Sequence, residues 1–171
     1  MKLLPNILTG CNLCSGALAI CLSWKGEIWM SLLLVLASIV FDGLDGWVAR
    51  RLKQESVFGR VFDSIADFVS FALAPSFIYY HLAQRKNAMV LLVISVYICA
   101  SAARLVRFNY LSAKKPFKGF EGLPTTASAG LLMLLIPIFS RYLGQTVFFV
   151  LAFIIPSVLM ISRIHFWKLN N

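Results

Sequence analysis

Apolar residues fill this chain in long runs, with polar punctuation at only a few places. The runs over residues 7–24, 28–50, 59–81, 88–111, 124–139 and 146–166 each predict a helix. Most reach roughly 18–24 residues, enough to cross a hydrocarbon layer about 30 Å thick. The pattern therefore predicts an all-α integral membrane protein, a bundle of six transmembrane helices forming one domain over residues 1–171. Residues 1–6 read as a polar entry with Pro5 near the first helix start. Pro75 is expected to kink the third span, with Ser70 or Ser76 satisfying the freed backbone groups, and Pro156 interrupts the sixth. Tyr79 and Tyr80 fit an interfacial aromatic belt; His81 beside them reads as a surface residue and not a catalyst, and His165 as interfacial. The longest polar stretch, residues 112–123, carries Lys114, Lys115, Lys118 and Glu121. Gly122 and Pro124 set its turn into the fifth helix.

Composition agrees. The chain is 60% hydrophobic with a mean hydropathy of +0.82, far outside the range of a water-soluble domain. A net charge of +9 in so apolar a chain points to anionic lipid head groups and phosphate substrates, with no nucleic acid partner. Twelve of the sixteen Lys and Arg residues fall on one side if the ends, the loops after the second and fourth spans and the adjoining helix ends share it. The positive-inside rule then places both termini and the 51–58 loop in the cytoplasm. Lys25 and Glu27 follow the first run where a small-residue cleavage site would stand, so it reads as a retained span. Cys11 and Cys14 form a C-x2-C, but no second pair or spaced histidine accompanies them. They read as small hydrophobes.

Against this background one stretch is out of character: DGLDGWVARRLKQESVFGRVFDSIAD, residues 42–67. It holds all four aspartates of the chain, Asp42, Asp45, Asp63 and Asp67. Within each pair the spacing is three or four, so each pair shares a helix face. The pairs are nearly mirror-symmetric about the Gln54–Glu55 bond, so a turn there brings four carboxylates to similar depth. Four carboxylates in apolar surroundings need cations, and two divalent ions would balance them. Gly46, Ala49 and Gly59 leave room on the same faces. Arg50, Arg51, Lys53 and Arg60 supply cations where a phosphate could enter. Acids, small residues and basic groups at one place point to phosphoryl transfer.

The spacing D-x2-D-G-x2-A-R-x8-G-x3-D-x3-D, from Asp42 to Asp67, resembles the signature of the CDP-alcohol phosphotransferase family at every fixed position. PNILTGCNLCSG (residues 5–16), the R-x2-RFN string (Arg104, Arg107, Asn109) and FKGFEGLPTTASAG (residues 117–130) resemble elements of the family's serine-using branch, the phosphatidylserine synthases. The resemblance covers most of the chain. It implies transfer of a phosphatidyl or archaetidyl group from CDP-diacylglycerol or CDP-archaeol to L-serine, with release of CMP. It also implies a divalent metal, magnesium or manganese, held as two ions by Asp42, Asp45, Asp63 and Asp67, with Asp67 as general base. Gly46, Ala49, Arg50 and Gly59 would shape the CDP pocket together with Thr9 and Asn12, and Arg104, Arg107 and Asn109 would meet the acceptor or its phosphate. The enzyme would be a multi-pass homodimer of the cytoplasmic membrane, among membrane lipids, its site opening to the cytoplasm. Glycerol 3-phosphate or inositol phosphate is the alternative acceptor. A cation-coupled transporter is the alternative of another class, since intramembrane acids also mark ion paths. Against it, the chain shows no inverted repeat and no paired broken helices.

Overall fold

The computed structural model describes residues 4–52, 57–83, 88–114, 120–121, 123–139, 145–162 and 165–166. Its elements are α1 (Leu4–Trp24), α2 (Ile28–Arg51), α3 (Val57–Asp67), a π-helical segment (Phe68–Leu73), α4 (Ala74–Leu82), α5 (Ala88–Lys114), α6 (Thr125–Phe139) and α7 (Gln145–Ile161). Two short strands, β1 (Phe120–Glu121) and β2 (His165–Phe166), pair antiparallel with Phe120 opposite Phe166. Apart from short turns, the other described residues are helical. Four stretches are long and apolar enough to cross a membrane: Leu4–Trp24, Ile28–Ala49, Val57–Leu82 and Ala88–Tyr110. The outer faces of the bundle carry exposed large residues such as Leu33, Val40, Leu92, Leu134 and Val158. That surface suits lipid and not water.

The first two helices form a hairpin closed by a helix C-cap of the Schellman type. The Glu27 amide donates to Leu22 O and the Gly26 amide to Ser23 O, each at 3.0 Å. Gly26 has φ +85°, a left-handed conformation that glycine adopts without a Cβ clash. Along its length α1 packs on α2, and on its other side it meets α3, the π-helical segment and α4. The remaining helices complete the bundle, with α5 against α7 and α6 between α2 and α7.

In the third rod, over residues 57–82, the irregularity begins before Pro75. The π-helical turns start directly after Asp67 and end at Leu73, and Pro75 sits in the first turn of α4. Proline has no N–H to offer, and the Phe71 carbonyl four residues earlier is taken instead by the Tyr97 hydroxyl at 2.8 Å. Ser76 donates to Ala72 O at 2.6 Å, one residue beyond the carbonyl that Pro75 frees, so Tyr97 and not Ser70 or Ser76 fills the role expected of those serines. Ser70 is used differently, reaching across to α1. Phe153 anchors the far half of the bundle. Its ring meets Tyr79 edge-on at 4.6 Å and Tyr97 at 5.1 Å, a favoured geometry for aromatic pairs.

The sixth predicted helix ends at Ile161 and not at residue 166, because His165–Phe166 pairs with Phe120–Glu121. His81 stacks edge-on against Trp24 and Tyr80. Several of the basic residues in the orientation count, among them Lys2, Lys53, Arg85, Lys86 and Arg141, lie outside the described residues.

Candidate active site

Two helices carry the acids. Asp42 and Asp45 lie in the last turns of α2, about 9 and 6 residues before its end at Arg51, roughly 9–14 Å along the axis at ~1.5 Å per residue. Asp63 and Asp67 lie in the second half of α3. Asp42, Asp63 and Asp67 each present a carboxylate oxygen within 4.8 Å of the other two. Asp45 stands beside this trio, close enough to Asp63 to act on its charge, and its own Oδ2 accepts a 2.8 Å hydrogen bond from Thr9 on α1. The Thr9 hydroxyl is also 3.0 Å from Pro5 O, so one proton faces two acceptors.

Close approach of α1 fixes the next layer. A Cβ placed on Gly16 would lie 2.7 Å from the Cα of Ser70, so only glycine lets α1 sit this near the π-helical segment. The hydroxyls of Ser70 and Ser38 both reach the backbone carbonyl of Asn12, at 2.9 and 3.3 Å. Asn12 is thus pinned by α2 and the third rod together, and its Nδ2 reaches Asp67 Oδ1 at 3.5 Å. A π-helical insertion directly after Asp67 widens the turn at this contact, a feature frequent at functional sites.

The opposite wall comes from α5 and α6. Thr126, the second residue of α6, donates to Asp42 Oδ2 at 3.0 Å. Its neighbour Thr125 accepts from Arg104 Nη1 at 3.1 Å. Arg104 is only 9% exposed and its charge acts on Asp67 and Asp42. Arg107 donates to the Ile161 carbonyl at the end of α7, where a cation suits the unpaired carbonyls of a helix terminus. Asn109 donates to Ser64, beside Asp63, at 2.9 Å.

Buried polar atoms normally find partners. Among the described residues four do not: Asn12 Oδ1, Asp63 Oδ1, Arg104 Nε and Asn109 Oδ1. Asp63 is one of the trio, Asn12 reaches Asp67, Asn109 holds Ser64 beside Asp63, and Arg104 is near enough to Asp67 and Asp42 for their charges to act on it. Clustered oxygen donors, one of them buried and unpartnered, fit a hard divalent cation. An unpartnered guanidinium N–H fits an anion. The residues therefore suit a metal and an anionic ligand side by side.

Of the residues singled out from the sequence, the four aspartates, Thr9, Asn12, Arg104 and Asn109 converge here. Gly46 and Ala49 follow Asp45 on α2, and Gly59 precedes Asp63 by one turn on α3; all three are half-buried. The side chain of Arg50 lies outside the described residues. Thr126, Ser38 and Ser64 were not anticipated, and Ser70 was expected to serve the backbone near Pro75 and not the site. Only Thr126 had a signal, its place in the GLPTT string.

A family model described as CDP-alcohol phosphatidyltransferase matches residues 2–165 of the chain. A CDP-diacylglycerol–serine O-phosphatidyltransferase of Helicobacter pylori is 34% identical over 171 residues, covering 97% of this chain and 72% of that protein. A protein of the same name from Methanocaldococcus jannaschii is 37% identical over 168 residues, covering 98% of this chain and 75% of that one. An archaetidylserine synthase of Methanothermobacter thermautotrophicus is 36% identical over 176 residues, covering 98% and 71%.

Proposed function

The chain belongs to the CDP-alcohol phosphatidyltransferase family, and from that premise we propose that it transfers the phosphatidyl or archaetidyl group of a CDP-linked lipid to the hydroxyl of L-serine, releasing CMP. The observation that carries this reading is the convergence of Asp42, Asp63 and Asp67 with every unpartnered buried polar atom among the described residues. The names of the relatives support serine as acceptor.

Asp42, Asp63 and Asp67, with Asp45 beside them, would hold magnesium or manganese, as two ions. Bound there, the metal neutralises the diphosphate and the charge that builds on departing CMP. The serine oxygen forms a new bond to the lipid-side phosphorus as the bond from that phosphorus to the CMP oxygen breaks. A hydroxyl is a poor nucleophile at neutral pH, so its proton must go to a base within reach. Asp67 is the proposed acceptor of that proton, steadied by Asn12. Arg104 offers its buried Nε to the serine carboxylate while Thr125 holds its other arm. Arg107 and Asn109 frame the same wall. Gly46, Ala49, Arg50 and Gly59 shape the pocket for CDP, with Thr9 and Asn12 on the α1 side.

The setting follows from the membrane. We place α6 and α7 as the fifth and sixth spans, both termini in the cytoplasm and the acidic site opening to that face, in a homodimer of the cytoplasmic membrane with residues 1–171 acting as one domain. A soluble acceptor then reaches the carboxylates from water while the donor's tails stay in lipid.

CMP release by the purified protein tests the proposal. CDP-diacylglycerol and CDP-archaeol would each be offered with serine, glycerol 3-phosphate or inositol phosphate, with and without manganese. Metal-dependent release with serine alone is expected. Release only with another acceptor would overturn the serine assignment, and no release from folded protein would overturn the reaction.

A further inference from the structure

We propose that Thr126 is a positioning residue that aims the Asp42 carboxylate into the acidic trio and so sets the affinity of the site for a divalent cation. The inference rests on reading Asp42 as a metal ligand. Eighty-four residues separate the pair in sequence, yet Thr126 Oγ1 donates to Asp42 Oδ2 at 3.0 Å. A carboxylate on a helix can rotate about its last bond, and one oxygen tied to a fixed donor stops that rotation. Threonine suits the task, because its branched Cβ restricts χ1 and leaves the hydroxyl few places to point.

The donor is itself held firmly. Thr126 opens α6, and the start of that helix is locked by buried contacts. Ser128 Oγ lies 2.8 Å from the Thr125 carbonyl and 3.1 Å from the hydroxyl of Tyr97. Tyr97 is fully buried and donates to Phe71 O, four residues past Asp67. Thr125 takes Arg104 from α5. The start of α6 therefore joins the helix that carries Asp42 to the rod that carries Asp63 and Asp67. Hydrogen-bond partners of metal-binding carboxylates commonly control affinity by about 10–100-fold.

Direct binding of manganese to the purified, substrate-free protein, read by electron paramagnetic resonance, tests the inference. Asp42→Asn is the reference. Thr126→Val, which keeps the shape and removes the hydroxyl, should weaken manganese binding about tenfold. Thr126→Ser should bind like the parent protein. If Asp42→Asn itself binds normally, the metal-site reading fails and takes this inference with it. If Asp42→Asn loses binding while Thr126→Val does not, only the role of Thr126 is overturned. Weakening by Thr126→Ser equal to that by Thr126→Val would overturn it too. Circular dichroism and gel filtration check folding, and Thr126→Ala replaces Thr126→Val if the valine does not fit. Failure of both to fold would also overturn the proposal, since aiming one carboxylate is not a requirement for folding.

Discussion

Replacing Gly16 by alanine tests whether the contact of α1 with the π-helical segment builds the site. A Cβ there would stand 2.7 Å from Ser70 Cα and 2.8 Å from Ser70 Cβ. Carbon atoms in contact keep about 3.5–4.0 Å apart, so α1 must retreat by about 1 Å. The Ser70–Asn12 bond, 2.9 Å long, would stretch to about 3.9 Å and be lost, at a net cost of about 1 kcal/mol. Residual overpacking adds about 1–3 kcal/mol, for a destabilisation of about 2–4 kcal/mol. The same retreat carries Thr9 away from Asp45 and Asn12 away from Asp67. A misplacement of about 1 Å costs on the order of 100-fold in rate. The assay is serine-dependent CMP release with an unfolding titration on the same preparation. Ser70→Gly should not rescue the variant, because it removes the obstructing side-chain atoms but leaves the Cα of residue 70 at 2.7 Å. Gly43→Ala is the control: nothing lies within 4 Å of a Cβ placed there, and it should gain about 1 kcal/mol in helix propensity. Parental turnover and stability in Gly16→Ala would refute the reasoning.

Three further outcomes follow from the site. Asp67→Asn should lower turnover by roughly 100- to 10,000-fold while CDP-lipid binding survives; loss of donor binding would instead make Asp67 chiefly a metal ligand. Arg104→Gln should raise the KM for serine about 10- to 100-fold, the worth of a charged hydrogen bond, with a smaller change in kcat; an unchanged KM would remove Arg104 from the acceptor site. Exhaustive chelation should abolish CMP release and manganese should restore it, and turnover that persists after chelation would argue against a metal at the trio.

The membrane class, the long helices and the acidic motif were legible in the sequence because each is a local property. Some twenty apolar residues in helix are long enough to span a bilayer wherever they occur, and aspartates three or four apart share a helix face whatever lies opposite. Asp42, Asp63 and Asp67 do lie together; the turn expected at Gln54–Glu55 lies outside the described residues. The π-helical segment, the contact of Gly16 with Ser70, the Thr9–Asp45 and Thr126–Asp42 bonds and the early end of α7 were not legible. Each depends on which helix lies against which, and at what distance, across 36 to 84 residues for the paired side chains. Arg104, Arg107 and Asn109 show the division within one string. Their spacing placed them together at one helix end, and packing then gave them different neighbours: Thr125 for Arg104, the end of α7 for Arg107 and Ser64 for Asn109. Local sequence was enough for the membrane class, the main helices and the chemistry of the acidic motif; which hydroxyl, amide or guanidinium meets each carboxylate came from packing, because such pairings exist only once distant helices lie together.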